Sequence, residues 1–185
     1  VLIKGGEVYD GTGGKPIKAN IGVKEGKIVE ISNATYDAKN VLDATSLIVS
    51  PGFVDLHTHS DFTLAANGRA ESQVHQGVTT EVVGQSFGDY LDHLDKTPLG
   101  VNVAAFVGHG TIHRAVVGDA LRPADEDEMD KMAILLDESI EGGAYGFSTG
   151  LEYWPGSLAS PDQLADLAKV AAKHDVLYAT HVRNR

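Results

Sequence analysis

At 185 residues and 42% hydrophobic, the chain is long enough to bury a core. Its 15 Lys and Arg stand against 26 Asp and Glu, and the formal charge of -11 argues against a nonspecific phosphate-backbone binder. Cysteine is absent, which excludes disulfides and thiolate metal ligands and leaves His and carboxylate as the strong ligands. No run approaches the roughly 20 apolar residues that span a bilayer. The expectation is a soluble, cytoplasmic protein with a small-molecule partner, no nucleic acid and no membrane contact. Because the chain opens on Val1, the absence of a signal peptide carries little weight.

Residues 1–50 read as short strands turning at glycines, a small β-sandwich or half of one. "VKEGKIVEI" is a hairpin candidate with its turn near Glu25 and Gly26. After Pro51 and Gly52, across 51–185, the rhythm changes to apolar strands separated by helical patterns, the signature of parallel βαβ units. Two helices stand out. Residues 125–141 put Met129, Met132, Ala133, Leu136 and Ile140 at helical spacing, with Asp125 as N-cap and Glu128 three positions on. Residues 161–174 repeat the pattern with Ser160 as N-cap, Pro161 at the first helical position and Gln163 completing a capping box.

The strands carry the stronger signal. "GFVDL" ends in HTHSD, "TTEVV" in GQS, "VNVAAFV" in GHG, "AYGF" in STG and "VLYAT" in HVR. Five successive apolar strands, each closing on a small polar cluster, suit a (β/α)8 barrel, which gathers its chemistry at strand carboxyl ends. An open doubly wound sheet does the same, but no GxGxxG follows any strand here. A full barrel needs about 250 residues. The expected fold is therefore α/β: a small N-terminal β-sandwich portion, then the first five βα units of a metal-dependent TIM barrel, truncated. A complete five-stranded protein is the alternative. Within "VSPGFVDLHTHSD", strand alternation points His57 and His59 the same way, so the pair can grip one ion; a chance pairing among eight histidines is the competing reading.

A β-module leading through "VSPGFVDLHTHSD" into a barrel resembles the amidohydrolase superfamily. More narrowly, "HQGVTTEVVGQS", "NVAAFVGHGTIHRAVVG", "GAYGFSTGLEYWPG" and "YATHVRN" resemble the N-acyl-D-amino-acid deacylases, or D-aminoacylases, over nearly the whole chain. The resemblance implies zinc, with His57 and His59 facing the metal and His181, at the fifth strand's end, as a further ligand. It implies a sixth-strand histidine and an eighth-strand general-base aspartate beyond Arg185. Two positions depart from the family pattern. Where these enzymes commonly carry a zinc-binding Cys after the second strand, this chain has Ser86, and a serine hydroxyl is a poor zinc ligand. Glu152 has two readings, a replacement carboxylate ligand or a solvated loop charge. The second departure is Arg185, where the family tends to have Glu.

Among the remaining candidates, His109 is either a substrate contact or a satisfied structural histidine, and Tyr153 and Ser148 either line the pocket or pack in a loop with Trp154. Arg183 either meets a substrate carboxylate as a bidentate pair or forms a structural bridge. His113 is weaker, and His75, His93 and His174 read as surface or packing residues. The expected function is metal-dependent hydrolysis of N-acyl-D-amino acids to a carboxylate and a D-amino acid. The alternatives are a cyclic amidohydrolase of the dihydroorotase or hydantoinase type, which would want a carboxylated lysine that "AYGFSTG" lacks, or a non-catalytic fragment.

Overall fold

The structure, a computed structural model, describes residues 1–84 and 89–184. The chain divides into two compact units, Val1–Gly52 and Phe53–Arg185.

The first unit holds β1 (Leu2–Val8), β2 (Ile17–Lys24), β3 (Lys27–Ser32), β4 (Val41–Asp43) and β5 (Ile48–Val49). They form one mixed sheet in the order β3-β2-β1-β4, with β5 also pairing β1. Strand β1 runs antiparallel to β2 and parallel to β4 and β5. The expected sandwich or half-sandwich is thus a single sheet. Its hairpin turns at Glu25 and Gly26, with φ of 52° and 74°, while Lys24 pairs Lys27. Two consecutive positive φ values give the two-residue turn whose twist matches that of the flanking strands, and glycine takes such a φ without a Cβ clash. Val8, Ala19 and Ile21 form the unit's buried cluster.

The second unit runs β6 (Phe53–Thr58), α1 (Asp61–Ala66), α2 (Glu71–Val74), β7 (Val78–Val83), α3 (Asp89–Leu94), β8 (Asn102–Gly108), α4 (His109–Val117), α5 (Glu126–Glu141), β9 (Gly146–Gly150), α6 (Pro161–Lys173) and β10 (Leu177–His181). The five strands are parallel and pair in chain order, β6-β7-β8-β9-β10. No strand is skipped, unlike a doubly wound sheet, whose order reverses at a switch point. The unit is built as successive βα units of a barrel.

Both expected helices form with their caps. In α5 the Asp125 carboxylate accepts from the Glu128 N–H at 2.9 Å, and the Glu128 carboxylate accepts from the Asp125 N–H at 2.9 Å. Arg122 forks onto the same Glu128 at 2.6 and 2.7 Å, and this contact chiefly holds the Glu128 carboxyl down at about 2. In α6 the Ser160 hydroxyl accepts from the Gln163 N–H at 3.2 Å, and the Gln163 side chain accepts from the Ser160 N–H at 3.1 Å. Gln163 Nε2 also donates to the Ala124 carbonyl at 2.7 Å, tying the starts of the two helices together. Met132, Leu136 and Ile140 of α5 and Leu167, Val170 and Ala171 of α6 meet Val107 and Phe147 in the main core. That core fixes β8 and β9, and so the polar ends that follow them.

Candidate active site

The carboxyl ends of β6, β7, β8, β9 and β10 surround one cavity of about 710 Å³, within the range usual for small-molecule sites. His57, His59, His109, Ser148, Tyr153 and His181 all line it. Each arrives by a different route. His57 lies near the end of β6 and His59 one residue past that strand, and their ring centres stand 5.3 Å apart. His181 is the last residue of β10, paired with Gly150 at the end of β9. Its Nδ1 lies 3.0 Å from the Val182 carbonyl, and its Nε2 lies 3.5 Å from Glu152 Oε2. Among the described residues, no three His, Cys, Asp or Glu side chains converge as a ready metal cluster.

His109 opens α4 directly from β8 and is buried. Burial, with a smaller contribution from the neighbouring His113, pushes its pKa down to about 4, so the ring is neutral at neutral pH. His113, one turn on, is also buried and shifted down, chiefly by desolvation. The loop after β9 turns two aromatic residues onto these histidines. Tyr153 meets the His181 ring edge-on at 5.2 Å, and Trp154 meets His113 edge-on at 6.2 Å with the Arg114 guanidinium 4.8 Å over its indole. Ser148 Oγ donates to the Gly84 carbonyl at 2.8 Å, linking β9 to the end of β7.

Arg183 has a different place from these residues. Its guanidinium donates to the Ser157 carbonyl at 2.6 Å and the Ala159 carbonyl at 2.8 Å, and it is not among the side chains lining the cavity. The reason is that β10 ends at His181, so the alternation that would set Arg183 on the face of His181 stops there. Ser86 lies outside the described residues. His174 bonds Asp137 at 2.8 Å, joining α6 to α5.

Sequence reasoning passed over a buried polar group at the start of α1. Ser60, Asp61 and Glu81 are all buried, and the Ser60 hydroxyl donates to Glu81 Oε2. After burial itself, the charges of Asp61 and Glu81 push the nearby Tyr90 phenol up to about 12. The available signal is Glu81 itself, a carboxylate inside the apolar run "TTEVV" where full burial needs a partner.

No family model matches the chain. It is 32% identical to a D-aminoacylase of Alcaligenes xylosoxydans xylosoxydans over 100% of its own length and 44% of the relative's. It is 34% identical to an N-acyl-D-aspartate deacylase of the same organism, over 99% of this chain and 43% of the other. A crystal structure of N-acyl-D-glutamate deacylase from Bordetella bronchiseptica, complexed with zinc and a phosphonate mimic of the tetrahedral intermediate, superposes with a TM-score of 0.93. The identity there is 33%, over 99% of this chain and 45% of that one.

The chain belongs to the N-acyl-D-amino-acid deacylase family of amidohydrolases. It spans less than half the length of the family members it matches. That membership accounts for the order of the strands and for a cavity built at their carboxyl ends.

Proposed function

We propose that the protein hydrolyses the amide bond of N-acyl-D-amino acids, releasing a carboxylate and a D-amino acid, with zinc held by His57, His59 and His181. The single observation that carries this reading is that histidines from the first and fifth barrel strands line the same cavity. The donor chemistry fits the ion. Two imidazoles ligating one tetrahedral zinc through nitrogens at about 2.0–2.1 Å would place their ring centres about 5 Å apart, and the His57 and His59 rings stand 5.3 Å apart. When bound, zinc supplies a water acidic enough to ionise near neutral pH and polarises the amide carbonyl.

The protein's own groups do the rest. His109, neutral at neutral pH because it is buried, offers the substrate a hydrogen bond without adding a positive charge beside the metal. Tyr153 closes the cavity over His181 and presents its ring to the bound acyl or amino-acid portion. Arg183 acts at one remove, holding the Ser157 and Ala159 carbonyls and so the far end of the loop that carries Tyr153. The cyclic amidohydrolase reading is disfavoured because β9, "GFSTG", offers no lysine to carboxylate.

The test is turnover of a panel of N-acetyl-D-amino acids by the purified protein, with and without a chelator. Release of D-amino acid, lost on chelation and restored by zinc, is the expected result. Turnover of hydantoins or dihydropyrimidines with no action on acyl amino acids would sink the proposal.

A further inference from the structure

We infer that Arg114 binds the α-carboxylate of the substrate. The inference rests on the deacylase reading above and names the group that recognises the negative end every N-acyl-D-amino acid carries. Acidic residues dominate the chain, 26 Asp and Glu against 15 Lys and Arg, yet the cavity is lined, among the described residues, by one arginine and by no Asp, Glu or Lys. That arginine is Arg114. The cavity is thus furnished for an anion.

The position of Arg114 follows from helix geometry. Side chains on a helix tilt towards its N-terminus, and residues four apart share a face, so the Arg114 side chain runs back over Gly110, in the first turn of α4. Gly110 has no side chain to stand in its way. The loop after β9 packs on the same face: a Cβ at Gly110 would lie 3.4 Å from Pro155 Cδ, and Trp154 carries the guanidinium 4.8 Å over its indole. A guanidinium seated on a ring face keeps its in-plane N–H groups for a partner, and their fork matches a carboxylate. Gly108, His109 and Gly110 line the cavity too, so α4 turns the positive end of its dipole the same way. Arg183, by contrast, spends its donors on the Ser157 and Ala159 carbonyls.

Trp154 is the chain's single tryptophan, so its fluorescence reports on the guanidinium above it. The experiment titrates the zinc-loaded protein with an isostere of N-acetyl-D-leucine in which CH2 replaces the amide N–H, so that it is not hydrolysed, and with the carboxamide of that isostere. The acid should bind about 10- to 100-fold more tightly than the carboxamide, the range expected of hydrogen bonds to a charged group. Arg114→Gln should weaken the acid by the same factor and leave the carboxamide unchanged; because Arg114 is exposed, the fold should tolerate the change. Arg114→Lys, which keeps the charge but not the fork, should recover part of the loss. Equal binding of acid and carboxamide by the wild type, undiminished acid affinity in Arg114→Gln, or no saturable response would each overturn the assignment. Turnover of N-acetyl-D-leucine by the same preparation separates the two readings. If it persists and is lost on chelation, only the role of Arg114 falls; if it too is absent, the deacylase reading falls with it.

Discussion

The middle of the five-stranded sheet and its two outer strands are built differently. On β7, β8 and β9, Val83, Val107 and Phe147 are all fully buried, the last two under the helices of the main core. On β6 and β10, Leu56 is 76% exposed and Leu177 67% exposed. The candidate metal histidines all come from the outer pair, at or just beyond the strand ends, whereas the buried, neutral His109 follows a central strand. The central strands therefore hold the floor of the cavity rigid. The Val182 carbonyl and the Tyr153 ring orient the imidazole of His181.

The largest test of this contrast pairs Phe147→Ala with Leu56→Ala. The first should cost about 3–5 kcal/mol by opening a cavity in the main core, and the second no more than about 0.5 kcal/mol, both read from urea denaturation. Equal costs would break the comparison. Glu81→Ala, which leaves the buried Ser60 hydroxyl without its acceptor, should cost about 1–3 kcal/mol. That loss would show the start of α1, directly after His59, to be fixed from β7.

Acid should act on the centre of the sheet. His109 titrates near 4 in the folded protein against 6.5 unfolded, so the unfolded chain binds more protons between those values. Stability is then complete above about pH 6.5 and falls as the pH drops towards 4, by at most about 1.4 kcal/mol per pH unit for this one group. In His109→Gln the fall in melting temperature across that window should be shallower. A modest effect belongs to the helix starts, where Asp125→Ala should cost about 1 kcal/mol through loss of the cap, measured by thermal melting.

The parts legible in the sequence were those with local causes. Helices α5 and α6 announce themselves because their caps and apolar spacing lie within a few residues of each other, and the hairpin turn because a glycine must take its positive φ. Helix α4 was not legible: it starts at His109 with no side-chain cap, straight from the last residue of β8, so "GHG" reads as a strand end. His57 and His59 line one cavity although His59 lies one residue past β6, whereas Arg183, two residues past β10, does not line it. The contact between Glu152 and His181 depends on pairing across 29 residues and has no local trace. The same holds for the bond from Ser60 to Glu81, which joins two turns of the barrel.

The two carbonyl contacts of Arg183 bear on any attempt to re-engineer substrate range by exchanging loops. The segment 151–159 brings Tyr153 and Trp154 to the cavity, yet its far end is clasped by a residue beyond β10. A graft of that loop alone would import a shape without its fastening. The transferable module runs through α6 and β10 to Arg183, so a chimera carrying the loop together with this arginine should keep the donor's loop conformation, and one carrying the loop alone should not.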